Sequence, residues 1–471
     1  MPHIPRLVLA GLSGGSGKTL VSLGLARAWC EAGHTVAPFK KGPDYIDAAW
    51  LGLAAKRPAT NLDPFLLPEE TLLDLFVEKA APCDLAIVEG NRGLFDGGDV
   101  TGAFSSSQLA RTLDAPLILV IDATKMTRTV AAIVHGCATF ERGLNLAGVI
   151  LNRTAGERHR RILRQSIEHY TDIPVLGALP KLSDNPIPER HMGLISNREY
   201  GDQEAILTGL AASLRDCCDL DALLAIARSA ADISPSGKKL WPLPVSTGPS
   251  RPRIGYVLDA ALWFYYQENL EALRHAGAEL VPVSLLGHEP WPALHGLYLG
   301  GGFPETQARA LADNAAVRHR VLTLSRQGLP IYAECGGFMY LCEELHAENT
   351  IYPMAGIFPL ATTLCARPQG LGYAEAEVTA ENPFHPVGTI LKGHEFHYSR
   401  CLAESHLTGH GHTPPFALRM LRGSGMLGGL DGVTCRNTFA AYTHIHALGA
   451  THWAGKFVEA AVRWRDGETE E

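Results

Sequence analysis

At 471 residues the chain is too long for one ordinary core, so two or three domains are expected. It is 46% hydrophobic and 19% charged, with a net charge of −8 and no basic run, which suits a soluble globular protein and excludes a dedicated nucleic-acid surface. No apolar run approaches the ~20 residues of a membrane span, the first apolar stretch is too short for a signal peptide, and the scattered cysteines without a CxxC pair read as a reduced, cytoplasmic protein.

In chain order, short apolar runs alternate with helical patterns. Candidate strands cover 6–10, 35–39, 84–88, 116–121, 146–151 and 174–178. Near-continuous apolar strands separated by helices predict a parallel sheet covered on both faces. "AGLSGGSGKTL" follows the first strand and opens a helix that Gly33 should end. Gly14, Gly15 and Gly17 let backbone N–H groups curl around phosphate oxygens, Lys18 neutralises them, and the Thr19 hydroxyl suits Mg²⁺. The strict P-loop pattern wants glycine where Leu12 stands, and Gly11 lies one residue earlier. A glycine-rich turn that binds nothing is the bland alternative, and "GKT" in a strand–loop–helix context argues against it.

Acidic residues cluster at the ends of the next strands. "KKGPDYID" offers Lys40, Lys41, Asp44, Tyr45 and Asp47; "VEGNRGLFDGGD" offers Glu89, Asp96 and Asp99. Ligands of open parallel sheets sit off the carboxyl ends of strands, so Asp44 and Glu89 join Thr19 as candidate ligands for the Mg²⁺ of bound ATP. Lys41, Asp44, Tyr45 and Asp96 are the candidate acceptor-substrate residues. Asp96 equally suits an ordinary turn in "FDGGD".

The stretch 234–253 is dense in Pro, Ser and Gly and lacks periodicity, which predicts an ATP-binding domain over 1–235, a linker over 236–252 and a second domain over 253–471. A second strand series follows at 253–257, 279–283, 296–299 and 330–333, then a stretch of glycine and β-formers near 370–400 and a closing helix at about 453–464. Within it, "PIYAECGGFMYL" places Cys335 on a glycine-marked corner between a strand and a helix. Such a corner lifts a nucleophile out of the fold, and the helix N-terminus favours thiolate. A buried, inert thiol beside a turn is the alternative. "LYLGGGFPE" supplies Gly301 and Gly302, whose N–H groups, with that of Gly336, form a candidate oxyanion hole. "AAYTHIHALG" is strand-like and puts His444 and His446 on one face, so spacing alone does not separate base from neighbour.

The first loop resembles the deviant phosphate loops of dethiobiotin synthetase-like ATPases. "GGGFPE", "YAECGGFMYL" and the late "YTHIH" resemble the class I glutamine amidotransferase-like domain. That resemblance implies that Cys335 forms a γ-glutamyl thioester and that His444 activates it. The glutamate usual two residues after the histidine is absent, and His446 stands there; this departure is similar to the cobalamin-type branch, and it leaves open what orients His444. "KKGPDYIDA", "VEGNRGLFDG", "IPERHMGL" (187–194), "LDAALWFYYQENLEAL" and "GHEFHYSR" lie in the order seen in the cobyrinic acid a,c-diamide synthase family. The similarity spans nearly the whole chain, with Asn91-Arg92 where Val-Met is usual.

The resemblance implies two coupled sites. Mg·ATP phosphorylates an acetate carboxylate of a tetrapyrrole, Cys335 releases ammonia from glutamine, and ammonia displaces phosphate, at acetates a and c in turn. Hydrogenobyrinate, nickel-sirohydrochlorin and sirohaem-type macrocycles are the alternative substrates. A P-loop ATPase with an inert second half, and a non-enzymatic tetrapyrrole-binding module, are readings of other classes; the first predicts no glutamine hydrolysis, the second no ATP consumption. Neither nucleic acid nor membrane is expected as a partner, and a homodimer stays open as the assembly.

Overall fold

The computed structural model describes residues 2–181, 189–190, 193–194, 202–241, 243–248, 250–402 and 414–467. The chain divides into two units, 1–238 and 239–471.

In unit 1 the apolar runs become buried strands. They are β1 (Arg6–Gly11), β2 (Val36–Lys41), β3 (Thr60–Leu62), β4 (Leu85–Glu89), β5 (Leu117–Asp122), β6 (Leu146–Thr154) and β7 (Val175–Pro180). They form one seven-stranded sheet in the order β3-β2-β4-β1-β5-β6-β7, parallel throughout. The helices are α1 (Lys18–Glu31), α2 (Ile46–Ala54), α3 (Glu69–Ala80), α4 (Ser106–Thr112), α5 (Thr129–Phe140), α6 (Glu157–Tyr170), α7 (Gln203–Cys217) and α8 (Leu220–Arg228). The strand order reverses around β1, where β4 and β5 flank it on opposite sides, so a crevice opens off the carboxyl ends of β1 and β4. Sequence periodicity misses β3, because three residues are too few to show a period. It also ends β2 early, at Phe39, whereas Lys40 and Lys41 continue the strand as buried residues. The segment "IPERHMGL" falls mostly outside the described residues; of it, β8 (Glu189–Arg190) and β9 (Gly193–Leu194) form an antiparallel pair.

Unit 2 contains a ten-stranded sheet that is parallel on one side and antiparallel on the other. Its parallel part holds β10 (Arg253–Val257), β12 (Glu279–Val283), β13 (Gly296–Leu299), β15 (Ile331–Glu334) and β24 (Thr438–Ala441). The antiparallel part holds β19 (Gly370–Val378), β20 (Ile390–His397), β22 (Phe416–Arg422), β23 (Leu430–Cys435) and β25 (His444–Ile445). A short pair, β11 (Leu262–Phe264) with β14 (Gly301–Gly302), crosses the site end. A four-stranded sheet of β16 (Cys342–Ala347), β17 (Thr350–Pro353), β18 (Phe358–Leu364) and β21 (Ser399–Leu402) follows the nucleophile segment. The helices are α9 (Gln267–His275), α10 (Ala308–Asp313), α11 (Ala315–Gln327), α12 (Gly336–Leu341) and α13 (Trp453–Asp466). The closing helix α13 buries Trp453, Phe457 and Ala461, an i, i+4, i+8 stripe, with the Trp453 ring 5.4 Å from Tyr298 and 5.3 Å from Tyr332.

The proline-rich seam is tied down at both ends. Ser236 N–H donates to the Asp74 carboxylate on α3 in unit 1 (2.7 Å). In unit 2, Trp241 stacks on His275 and Val245 N–H donates to the Ala276 carbonyl. Among the described residues no helix is long and apolar enough to cross a membrane.

Candidate active sites

The phosphate loop of unit 1 runs from the end of β1 into α1. Gly17 caps the helix with φ 90°, a left-handed conformation that disfavours side chains, and a Cβ there would lie 2.0 Å from the Asn152 amide. Asn152 Nδ2 donates to the Ser16 carbonyl (3.0 Å), pinning the loop from β6. A Cβ at Gly11 would lie 2.1 Å from Ser16 Oγ, so a side chain at the loop entrance, one residue before Leu12, would displace the Ser16 hydroxyl. Gly14 and Gly15 are exposed at the tip. Lys18 is buried and donates to the Ser13 carbonyl (3.4 Å). Burial first, then Lys40, holds its pKa below the ordinary lysine value, an imbalance that bound phosphate would reverse.

The carboxylates meet at the crevice. Glu89, fully buried at the end of β4, accepts from Thr19 Oγ1 (2.7 Å) and Lys40 Nζ (2.8 Å) through Oε1. Lys40 also donates to Asp47 (2.6 Å). Burial works against the Lys40 ammonium, but Asp47, Glu89 and Asp44 outweigh it and raise its pKa. Asp44 accepts from the Asp47 N–H (2.9 Å), and burial, then Asp47, pushes its carboxyl up to about 7. Glu89 Oε2 is buried with no hydrogen-bond partner among the described residues. An orphaned carboxylate oxygen beside a threonine hydroxyl fits a divalent cation that completes its shell with phosphate oxygens and water. Thr19 and Glu89 would hold it, with Asp44 close by.

Lys40, not Lys41, enters the carboxylate cluster; Lys41 faces Asp63 and Arg92, and burial lowers its pKa. Consecutive strand residues point to opposite faces, which separates the two lysines. Asp96 is exposed and caps a turn, accepting from the Gly93 N–H (3.0 Å). Tyr45 precedes α2 and is nearly buried. Asn91 lies against Gly42, 3.0 Å from a Cβ built there, and Arg92 has φ 53°. The unusual Asn-Arg pair therefore borders the turn that carries Asp44.

In unit 2 the cysteine corner forms as expected. β15 ends at Glu334, Cys335 adopts φ 47° and ψ −100°, and α12 starts at Gly336. A non-glycine residue in that region is strained, and such strain is typical of a nucleophile elbow. The corner is fixed by Cys335 N–H donating to the Ala441 carbonyl (2.7 Å) and Gly337 N–H donating to the Gly300 carbonyl (3.1 Å). A Cβ at Gly336 would lie 2.9 Å from the Gly302 amide nitrogen, so the three candidate oxyanion glycines converge. His444 is there too: its Cε1 lies 2.5 Å from a Cβ built on Gly301.

Burial opposes the helix's preference for a thiolate. Burial, then Glu305, pushes the Cys335 thiol up, and the Gly336 N–H opposes this only in part. α12 has six residues, a short dipole against full desolvation. Burial also pushes His444 down to about 3, so the resting imidazole is neutral, and protonating it needs a compensating partner nearby.

The two histidines separate because β25 ends at Ile445, and the strand rule that put them on one face lapses at its end. His444 Nδ1 lies 3.8 Å from Glu334, and its ring stacks on His394 at 4.7 Å. His446 accepts from the Leu448 N–H at Nδ1 and turns Nε2 toward Glu268, 3.5 Å away.

Residues 7–195 match the CobQ/CobB/MinD/ParA nucleotide binding domain, and residues 253–452 match the CobB/CobQ-like glutamine amidotransferase domain. A cobyrinate a,c-diamide synthase of Magnetococcus marinus is 42% identical over 96% of this chain and 97% of its own length. Those of Streptococcus sanguinis (39%; 94% of this chain, 95% of that one) and Syntrophotalea carbinolica (40%; 97% and 98%) are similar throughout. The chain belongs to the cobyrinate a,c-diamide synthase family. As a member of that family it is a glutamine-dependent amide ligase, with a nucleotide-binding first unit and a glutamine amidotransferase second unit. Full-length similarity displaces the ATPase reading in which the second half is inert. Within this family frame, sequence reasoning offered Lys40 and Lys41 together without separating which one joins the carboxylates, and it missed Glu334 beside the base. Strand alternation after Phe39 held a signal for the first; nothing in the sequence spacing held one for the second, which depends on β15 and β25 meeting in space.

Proposed function

We propose that this chain amidates the a and c acetate carboxylates of cobyrinate, using ATP and ammonia drawn from glutamine. Unit 1 positions the nucleotide phosphates with the loop amides and Lys18, and turns a carboxylate oxygen of the macrocycle into a phosphate leaving group. Thr19 and Glu89 would hold Mg²⁺, which when bound would supply charge neutralisation at the phosphates. Lys40 keeps Asp47 and Glu89 in place and balances their charge. In unit 2, Cys335 attacks the side-chain amide of glutamine. Its proton moves to neutral His444 and then to the departing nitrogen as ammonia leaves. Gly301, Gly302 and Gly336 face the oxygen that becomes negative. Ten free cysteines fit a reducing compartment, the cytoplasm.

The observation that carries this reading is the strained Cys335 corner with His444 and the glycine pair against it, in a family with a nucleotide-binding unit. Cys335→Ser tests it. A serine hydroxyl has a far higher pKa than a thiol, so thioester formation stops. Glutamine-dependent amidation of cobyrinate should vanish, while amidation from concentrated ammonium salt at mildly alkaline pH persists. Mass spectrometry across a panel of macrocycles reads both the acceptor and the number of carboxylates converted. Full glutamine-dependent activity in the serine variant would make Cys335 an inert thiol.

A further inference from the structure

The glutamate expected two residues after the base is His446, and His446 faces Glu268 rather than His444. A carboxylate nonetheless reaches the base from elsewhere. Glu334 is the last residue of β15, 1% exposed, and its Oε2 lies 3.8 Å from His444 Nδ1. We infer that Glu334 is the positioning carboxylate for His444, supplied by the residue immediately before the nucleophile.

Its geometry is built for that role. Oε1 accepts from the Ile445 N–H (3.0 Å), the residue next to His444, and Oε2 accepts from the Tyr298 hydroxyl (2.8 Å). Two donors fix the carboxyl plane and leave Oε2 a second lone pair for Nδ1. Asn269 joins the same network: it donates to Tyr298 Oη (3.2 Å) and to the Ile445 carbonyl (3.0 Å), and accepts from the Ala447 N–H (2.7 Å). Acid and base strand are thus locked in one framework. A carboxylate on Nδ1 sets the tautomer in which Nε2 carries the lone pair that takes the proton.

The step balances within the groups named. The Cys335 S–H bond breaks, sulfur bonds to the amide carbon of glutamine, and the proton rests on the imidazole until it leaves with ammonia. The imidazolium formed in between is a buried cation, which a buried carboxylate stabilises, and the 3.8 Å separation is of the kind that tightens when charge develops. Burial pushes the Glu334 carboxyl up to about 7. As pH falls through that value the carboxylate is protonated and its help is lost. The other titratable groups within electrostatic reach are Tyr265, Tyr298, Tyr332 and Cys335 around Glu334, and His394 and His397 around His444.

The inference rests on the Cys335 reading, so Cys335→Ser and Glu334→Gln are measured side by side in the full chain. Glu334→Gln keeps its shape, its acceptor for Ile445 and a partner for Tyr298. Its kcat/KM for glutamine should fall by about 100-fold or more, with ammonia-supported amidation persisting. The wild-type rise in kcat/KM as pH passes through about 7 should be absent, and Glu334→Asp should restore part of that rise. If Glu334→Gln does not fold, the pH profile of Glu334→Asp decides: a changed profile supports the role and an unchanged one overturns it. Wild-type glutamine use in Glu334→Gln, or a reduced rate with the rise intact, overturns it as well. If Cys335→Ser itself keeps glutamine use, the nucleophile reading falls first.

Discussion

Lys18 and Glu89 show how single residues carry the ligase half. Lys18 is desolvated beside a second cation, Lys40, which costs stability and is offset when phosphate arrives. Lys18→Ala should therefore abolish amidation from glutamine and from ammonia alike, because the charge at a transferring phosphoryl group is worth several kcal/mol. Basal glutaminase, housed in unit 2, should remain measurable; normal amidation by the variant would remove the phosphate-loop assignment. Glu89 has one oxygen satisfied by Thr19 and Lys40 and one without a hydrogen-bond partner among the described residues. Glu89→Gln keeps the satisfied oxygen and removes the charge. The Mg²⁺ concentration for half-maximal amidation should rise about tenfold or more, read by titration with the fold checked by circular dichroism. An unchanged requirement would make Glu89 structural. The P-loop residues were legible because the motif is contiguous. Alternation along β2 separates Lys40 from Lys41, but the choice between them also needs the register, in which Lys40 lies beside Glu89 of β4 and shares its face.

Among the elements, β14 is two residues long and places the candidate oxyanion amides. It is held antiparallel to β11, with Gly302 opposite Leu262. A Cβ on Gly302 would lie 2.1 Å from the Ala261 carbonyl oxygen and 2.8 Å from Leu262 Cα. Both are backbone atoms, so the pair must move apart rather than repack. Gly302→Ala should cut glutamine-dependent amidation by about 100-fold or more, the scale of losing an oxyanion donor, with ammonia-supported amidation retained. Glutamine kinetics like those of the wild type would show that β14 does not shape the site. The glycine run was visible in the sequence, but its pairing with β11 was not, because "LDAALWF" carries no strand signal distinct from the apolar run around it. The strands at 416–422 and 430–435 were missed because buried and exposed residues do not alternate along them.

At the scale of the whole molecule, unit 2 buries titratable groups whose preferences oppose one another. Burial holds His385, His394, His397 and His444 neutral, with His397 down to about 4 and His444 down to about 3. A histidine with a depressed folded pKa gives stability that is present above its ordinary value of 6.5 and is lost as pH falls toward the folded value. Glu334, Glu395 and Asp431 are raised, so their contribution has the opposite sign, fullest at low pH and lost as pH climbs, for Glu334 through about 7. Between pH 6.5 and 4 the histidines are the groups that pass from their ordinary value toward their folded one, so unfolding free energy should drop as pH falls across that range. Calorimetry across that range should show a falling Tm, and a flat profile would mean that these histidines are not buried neutral. The sequence by itself determined the two-unit plan, the parallel sheet, the phosphate loop, the cysteine corner and the family, because each is written in contiguous residues or in local periodicity. Only the tertiary structure decided that Lys40 balances the carboxylates, that burial works against a thiolate at Cys335, and that Glu334 rather than His446 lies beside the base. Those outcomes depend on desolvation and on which strands lie side by side, and neither quantity is a property of a residue and its neighbours along the chain.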